Sequence, residues 1–523
     1  MSAANNIRGS EENDMRRLTN YSMVSVCVLA TVSCIAPPLE SPPPMVNGQT
    51  PIYVPQSLKN KVDVLFMVDN SNSMSAMTDQ LKARFDQFFK VFQQLAGGMT
   101  YADLNIGVVT SDYGAGKTGA PGCQPSPGGQ QGRLQALGVA APQGCLPPTG
   151  ANFIHYDFNP MHANASNLPA NQNLVQTFTC MASVGAMGCG FEHQLESVYA
   201  ALHNPIPDNK NFLRDDALLA VVFLTNEDDS SAPPDSDMFD KSASAMWGYE
   251  SSYRQTRWGI MCDYGGMTGA LPPYGDSGGP MANCVPATNP PGAEYDIQRY
   301  VDFFTNPKSQ GGVKDDPHDV IMFGIDAPGP QESGTVQTLL SNPSTTGGQP
   351  YAACSPLNES SNPACVPVLQ HSCQNPSNPV FFGDPAVRLN AVIRKAKGGF
   401  NISSICNSDY TGALQSLSNL IVSSLGAGCI TSKLPDPSNP DCVVEDVTDN
   451  GDGTSNTVEI LRCDKVNNAT PCWSVGANPA CVCAMSGCTN VQSPDGLGIT
   501  INRGGQQAPP RTQANVYCAT VGG

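Results

Sequence analysis

The clearest pattern along the chain is a set of uninterrupted apolar runs that end in residues bearing side-chain oxygens. Residues 64–68 (VLFMV) lead into Asp69, Ser71 and Ser73, and residues 217–225 (ALLAVVFLT) lead into an amide and three acids. An apolar run without polar interruption is typical of a central strand covered on both faces. The two runs therefore predict two buried strands, each followed by a polar loop.

Alternating strands and helices are predicted over most of the chain. The strands are expected at residues 62–68, 104–112, 217–225, 319–326 and 400–405, with a short edge strand near 153–156. The helices are expected at residues 77–95, 191–202, 386–396 and 410–425. This alternation favours an α/β fold with a doubly wound, mostly parallel sheet. We assign it to residues 58–430, with long insertions at 230–317 and 328–379.

The loop after the first buried strand carries the strongest candidate chemistry. In open α/β sheets, ligands bind in the crevice beyond the carboxyl ends of the strands. Asp69, Ser71 and Ser73 are expected to point their oxygens into that crevice. One carboxylate and two hydroxyls suit a hard divalent cation, above all Mg²⁺, which prefers oxygen ligands and keeps several waters.

The segment DNSNS at residues 69–73 resembles the Asp-x-Ser-x-Ser signature of the metal-ion-dependent adhesion site of von Willebrand factor A domains. The resemblance implies a site for Mg²⁺, with Mn²⁺ and Ca²⁺ as alternatives. Ser71 and Ser73 would be direct ligands, and Asp69 would act directly or through water. The open coordination position would accept an acidic side chain of a partner protein or surface polymer.

Two other loops depart from the family pattern. The third metal loop usually has Asp directly after the Thr, whereas this chain has Asn226. An amide brings no negative charge but can hydrogen-bond to a metal-bound water, and Asp228 is the alternative ligand. The second loop usually supplies a Thr, for which Thr179 and Ser183 are both candidates.

Composition narrows the classes of partner. The 523 residues include 45 acidic and 27 basic side chains, which gives a formal charge of −18. This balance disfavours nucleic acid and anionic membrane, because phosphate binding needs basic patches. The 50 Gly and 45 Pro residues fit an α/β core that carries irregular insertions.

The N-terminal region predicts export and a lipid anchor. Met15-Arg16-Arg17 precedes an apolar stretch at residues 23–32 and then Cys34, which is a secretory signal layout and resembles a bacterial lipoprotein signal. Residues 1–34 are therefore expected to be a signal peptide whose true start is Met15, with Cys34 as the lipidated residue. Residues 35–57 are expected to be a Pro-rich tether. The expected location is the outer membrane, facing the periplasm or the cell surface.

Twenty cysteines indicate an oxidising compartment. Without Cys27 and Cys34, 18 remain, an even number compatible with disulfides throughout. Cys123 and Cys145 are predicted to close one loop. Further disulfide candidates are Cys180 and Cys189, which bracket a Gly-rich loop, and Cys262 and Cys284 in the long insertion. Residues 431–523 are expected to form a small, β-rich, Cys-rich module.

These features favour a binding protein without catalytic activity. The arrangement resembles large A-domain lipoproteins predicted in delta-proteobacteria such as myxobacteria. One alternative is a disulfide-rich scaffold that acts without metal. Another is a serine protease, because GDSGGP around Ser277 matches the nucleophile motif of chymotrypsin-like enzymes. None of the six His residues has the required sequence context, so the motif lacks its general base and the protease is disfavoured.

Overall fold

The computed structural model describes residues 52–519 with gaps, and all of the described residues belong to the unit formed by residues 47–523. The gaps are at 56–59, 96–101, 121, 160, 163–165, 204–205, 241–251, 265–266, 271–281, 289–292, 330–337, 342–365, 370, 426–427, 429, 431–432, 451–453, 478–480, 482–494, 505, 507 and 510–511. The signal segment with Cys34, the tether as far as residue 51 and the protease-like motif at Ser277 lie outside the described residues.

Strands and helices alternate along the described chain. In chain order the strands are β1 (Ile52–Pro55), β2 (Lys61–Val68), β3 (Asp103–Thr110), β4 (Ile154–Asp157), β5 (Leu218–Leu224), β6 (Ile260–Tyr264), β7 (Met267–Ala270), β8 (Ala282–Pro286), β9 (Val320–Asp326), β10 (Thr338–Ser341), β11 (Val366–Leu369), β12 (Cys373–Gln374), β13 (Phe382–Gly383), β14 (Phe400–Ser404), β15 (Cys442–Asp449), β16 (Ser455–Ile460), β17 (Cys472–Ala477), β18 (Leu497–Asn502) and β19 (Thr512–Cys518). The α-helices are α1 (Ser75–Leu95), α2 (Leu174–Ala182), α3 (Gln194–Leu202), α4 (Ser252–Gly259), α5 (Gln298–Thr305), α6 (Val387–Ile393) and α7 (Thr411–Ser424).

A six-stranded sheet forms the centre of the fold, in the order β14-β9-β5-β2-β3-β4. All neighbours are parallel except β3 and β4, which pair antiparallel at the edge. Strand β2 lies between β5 and β3 and is buried from Val62 to Val68. This pairing confirms the predicted α/β class with a mostly parallel sheet. Parallel neighbours need crossover connections, and the helices between the strands supply them.

The sheet has a helix layer on each face, so the central strands are apolar at successive positions. Alternate residues of β2 enter different cores: Phe66 packs with α1, α2 and α7, whereas Leu65 packs with α3, α5 and α6. Phe66 lies in edge contact with Phe85 of α1, with ring centroids 5.5 Å apart. Truncation of a buried Phe to Ala costs about 3–5 kcal/mol, so Phe85 contributes strongly to this face.

Some elements differ from the sequence prediction. Helix α2 was not predicted, although Asn173 and Gln176 form a reciprocal capping box at its start, with both hydrogen bonds at 2.9 Å. The insertion after residue 230 contains α4, α5 and short antiparallel strands. Residues 52–55, expected in the tether, form a strand that pairs antiparallel with β19.

The disulfides join insertions to the core and tie the C-terminal region together. Cys123 pairs with Cys189 and Cys145 with Cys180, so the predicted loop between Cys123 and Cys145 is wrong. The fold brings together cysteines that are 66 and 35 residues apart. The prediction failed because it paired cysteines by their closeness in sequence. The other described pairs are Cys262–Cys284, Cys373–Cys406, Cys442–Cys518 and Cys463–Cys472. Such cross-linking indicates an exported protein.

The C-terminal region is built from small antiparallel sheets, as predicted. One sheet has the order β1-β19-β15-β16, and β17 pairs with β18. Their core contains Val444, Trp473, Ile499 and Val516. In the part of the chain that the structure describes, no helix combines the length and apolar character needed to cross a bilayer.

Candidate functional site

Asp69 lies directly beyond the carboxyl end of β2 and organises the loops around it. Its Oδ1 accepts hydrogen bonds from the backbone N–H of Ser71 at 2.8 Å and from the hydroxyl of Ser111 at 3.0 Å. Its Oδ2 accepts from the hydroxyl of Thr225 at 2.8 Å. Burial raises the pKa of Asp69, and these hydrogen bonds from Ser71, Thr225 and Ser111 oppose the rise. Loops that follow three adjacent strands, β2, β3 and β5, thus meet at one carboxylate.

The hydroxyls of Ser71 and Ser73 complete this arrangement. Their Oγ atoms lie 3.2 Å apart, and Ser73 Oγ donates to Oδ1 of Asn226 at 2.9 Å. Ser71 and Asn226 are buried, whereas Ser73 is half-buried. We call the group formed by Asp69, Ser71, Ser73, Ser111, Thr225 and Asn226 the Asp69 cluster.

Asp228 lies in a different environment from the Asp69 cluster. Its carboxylate accepts hydrogen bonds from the backbone N–H groups of Arg388 and Leu389, each at 3.0 Å, at the start of α6. It also accepts from the backbone N–H of Asp229 at 2.9 Å. These bonds occupy both carboxylate oxygens in capping a helix. Asn226, rather than Asp228, is the third-loop residue that the fold brings to Ser73.

Thr179 and Ser183, the two candidates for the second loop, both bond within or next to α2. Thr179 Oγ1 donates to the carbonyl of Val175 and Ser183 Oγ donates to the carbonyl of Thr179, each at 2.8 Å. The hydroxyls therefore satisfy helix carbonyls, and no contact with the Asp69 cluster is seen. The structure instead brings Ser111 into the cluster and Glu192 close enough to it that the charge of Asp69 raises the pKa of Glu192.

Two acidic residues missed by the sequence analysis accompany Asp69. Glu192 is 1 % exposed, and Glu227 is partly buried. Burial raises the pKa of Glu192 well above its usual range, and the charges of Glu227 and Asp69 raise it further. Burial likewise raises the pKa of Glu227, reinforced by Asp384 and Asp69. Glu192 was hidden because the predicted helix began at residue 191, whereas α3 begins at Gln194.

The loops around Asp69 are firmly tied to one another. Gly188 N–H donates to the carbonyl of Asn70 at 2.8 Å, and a Cβ added at Gly188 would meet Asn70 Oδ1 at 2.3 Å. The next residue, Cys189, is cross-linked to Cys123. A disulfide-held insertion therefore packs directly against the loop that carries Ser71 and Ser73.

The oxygen atoms of the Asp69 cluster fit a cation site that has one carboxylate and several hydroxyl and amide ligands. Among the described residues, no group of three or more His, Cys, Asp or Glu side chains is arranged to hold a metal ion. An ion here would therefore depend on hydroxyl and amide oxygens and on water, which are ligands that Mg²⁺ accepts. The amide Nδ2 of Asn226 and both carboxylate oxygens of Glu192 are buried without a hydrogen-bond partner. Unsatisfied buried polar atoms of this kind are expected where a ligand or ion binds.

Comparisons with known proteins leave the family of this chain undefined. No family model matches, and no curated protein matches. Solved structures with similarity include the pilus adhesin SpaC of Lactobacillus rhamnosus GG in its open conformation, at 9% identity and a TM-score of 0.27, covering 90% of this chain and 40% of that chain. The pilus adhesin RrgA of Streptococcus pneumoniae has 8% identity and a TM-score of 0.26, with 90% and 57% covered. The adhesive tip pilin GBS104 of Group B Streptococcus agalactiae has 9% identity and a TM-score of 0.24, with 90% and 80% covered.

The chain therefore spans less than two thirds of the length of the first two of these structures. TM-scores this low do not assign a shared fold.

Proposed function

We propose that this chain is a cell-envelope protein of the von Willebrand factor A type that captures a protein or surface polymer through a divalent cation. The observation that supports the proposal is the convergence of Asp69, Ser71 and Ser73 with Asn226 at the carboxyl end of the central sheet. Asn226 comes from a different loop than the other three residues, and the oxygens of all four are of the type that hard cations prefer. The role is one of binding rather than catalysis.

In this proposal Ser71 and Ser73 are direct ligands and Asp69 acts mainly through water. Three hydrogen bonds already occupy the Asp69 carboxylate, which suits a residue that positions the loop and orients a metal-bound water. The half-buried Ser73 lies on the solvent side of the cluster. An acidic group of the partner would reach the ion from that side.

The proposal extends to where the protein is held. Export is supported by the disulfides, and a lipid on Cys34 would keep the protein at the outer membrane, facing the periplasm or the cell surface. Mass spectrometry of the protein purified from membranes tests this anchor. A diacylglyceryl N-terminus at Cys34 supports it, and an unmodified N-terminus at another position contradicts it.

Water-proton relaxation of the Mn²⁺-loaded protein tests the open coordination position. We expect enhanced relaxation from exchangeable water on the bound ion, and a decrease when an aspartate-containing peptide is added. An equal amount of the matching asparagine peptide is the control and should leave the relaxation unchanged. Equal responses to the two peptides would contradict capture through an acidic group.

A metal-independent scaffold is the second candidate function. It is favoured by Asn226, which brings no charge, and by the absence of a three-carboxylate or histidine group among the described residues. In this case the disulfide-held insertions would provide the binding surface. Partner capture that is unchanged in chelator, together with no cation binding, would support the scaffold over the adhesion site.

A further inference from the structure

The carboxyl group of Glu192 is buried, and neither of its oxygens has a hydrogen-bond partner among the described residues. The residue is 1 % exposed. The Gln255 side chain lies near enough to lower the pKa of Glu192, but its amide does not reach either oxygen with hydrogen-bond geometry. A buried carboxylate in such surroundings is costly unless a proton or a cation neutralises it.

Glu227 lies against Glu192, which makes the charge problem more severe. The charge of Glu227 raises the pKa of Glu192, and Glu227 Oε2 is also buried without a hydrogen-bond partner. Asp69 raises the pKa of both groups, and Asp384 raises that of Glu227. Two neighbouring buried carboxyl groups do not both stay ionised unless a cation balances their charge; otherwise one of them takes up a proton.

Hydrogen bonds to the main chain fix the backbone segments that carry both glutamates. The carbonyl of Glu192 accepts from the N–H and the hydroxyl of Ser230, each at 2.8 Å. The side chain of Gln194 donates to Thr225 Oγ1 at 3.0 Å and to the carbonyl of Glu227 at 3.3 Å. Hydrogen bonds thus join the loop after β5, which carries Glu227, to the segment at the start of α3, which carries Glu192. Backbone segments fixed in this way suit a cation site, whose ligands need to be positioned before the ion binds.

We propose that Glu192 and Glu227 are direct carboxylate ligands of the divalent cation at the Asp69 cluster and supply the charge that Asn226 lacks. The inference rests on the proposed function and deepens it by naming the ligands of the ion. Two carboxylates balance the charge of a divalent ion, while Ser71, Ser73 and water complete the oxygen shell. Asp69, whose oxygens already accept hydrogen bonds, then serves as a positioning residue. Glu192 takes the place that sequence reasoning gave to Thr179 or Ser183.

Titration calorimetry with MnCl₂ on the full-length protein tests this assignment, using Glu192→Gln and Glu227→Gln. Each variant keeps the shape of the side chain and removes its charge. We expect the affinity for Mn²⁺ to fall by about tenfold or more in either variant, since losing even an outer partner of a metal ligand costs about this much. The matched control is Glu196→Gln, because Glu196 lies in α3 and is paired with Arg299 and Tyr300, at 3.2 and 2.8 Å.

Thermal unfolding adds a readout that a structural role would not produce. In EDTA, Glu192→Gln should melt at a higher temperature than wild type, because folding no longer has to bury and neutralise a carboxylate, and Mn²⁺ should no longer raise its melting temperature. Glu227→Gln, at the more exposed position, gives the same test should Glu192→Gln fail to fold. Wild-type affinity in both glutamine variants would overturn this inference and leave the proposed function standing. Absence of Mn²⁺ binding to wild type would overturn both proposals.

Discussion

The hydroxyl of Ser73 donates a hydrogen bond to Oδ1 of Asn226 over 2.9 Å and joins two loops that lie 153 residues apart in the chain. This contact places the loop after β5 beside the DNSNS segment, with an amide rather than an acid at residue 226. The amide oxygen accepts a hydrogen bond from the hydroxyl as a carboxylate oxygen would. The geometry of the cluster is therefore kept while its negative charge is reduced. The cation affinity of the site should therefore be sensitive to this one position.

Asn226→Asp is expected to raise the affinity for Mn²⁺ by about tenfold, equivalent to about 1.4 kcal/mol. The new carboxylate would accept from Ser73 and also face the ion. Calorimetry measures the change. Asn72→Asp is the matched control, because residue 72 is exposed and the substitution adds the same charge next to Ser73. Equal gains in the two variants would mean that general electrostatic attraction, rather than ligation at residue 226, determines affinity.

The disulfide between Cys123 and Cys189 is expected to support both stability and the site. It closes a separation of 66 residues, for which chain entropy predicts about 4 kcal/mol of stabilisation. Replacing both cysteines by Ser should lower the melting temperature and weaken Mn²⁺ binding by about tenfold, because the neighbouring Gly188 would no longer fix the backbone at Asn70.

The disulfide between Cys262 and Cys284 provides the control for that experiment. It closes a separation of 22 residues, worth about 3 kcal/mol by the same relation, and it lies with β6 and β8 in a separate hydrophobic cluster. Its removal should lower the melting temperature without changing cation affinity. A similar loss of affinity in both double variants would show that the effect is one of global stability.

Asp63 is expected to make stability depend on pH. Burial raises its pKa to about 6, although the charge and hydrogen bonds of Arg214 oppose the rise. The folded state therefore holds this proton at pH values where the unfolded state has lost it, and the contribution to stability disappears as pH rises through about 6. Between pH 4.5 and 7.5 the wild type should lose about 2 kcal/mol more of its free energy of unfolding than Asp63→Asn.

Urea denaturation in EDTA at the two pH values measures this difference without interference from bound metal. Asp63→Asn leaves Arg214 paired with Asp103 at 2.7 Å, so the guanidinium is not stranded. The same pH dependence in wild type and variant would contradict the assignment to Asp63.

The sheet was predictable because its strands are buried on both faces. Runs such as residues 64–68 and 217–225 leave few alternatives to a central strand, and the observed β2 and β5 match them closely. Helix α2 was missed because its sequence, LVQTFTCMA, lies next to Gly-rich and Cys-containing stretches that indicate a loop. Its capping box at Asn173 and Gln176 was the available signal.

The candidate site was predictable only where one loop carries its own signature. Asp69, Ser71 and Ser73 are adjacent in sequence, so their approach depends on local backbone alone. Ser111, Glu192 and Glu227 come from loops whose meeting is decided by strand order and by cross-links such as Cys123–Cys189. No local pattern reports that order, which is why the paired glutamates emerged only from the structure.

Calorimetric titration of the full-length protein with MgCl₂ and MnCl₂ at neutral pH shows whether the Asp69 cluster binds a cation. We predict saturable binding of one ion to wild type, loss of binding in Asp69→Ala, and strong weakening in Ser73→Ala, a milder change at the half-buried rim of the cluster. Asp79→Ala, which removes a carboxylate exposed on α1 and paired with Lys82, should bind as wild type does. Absence of binding to wild type, or equal binding by wild type, Asp69→Ala and Ser73→Ala, would contradict the claim that the Asp69 cluster holds a cation.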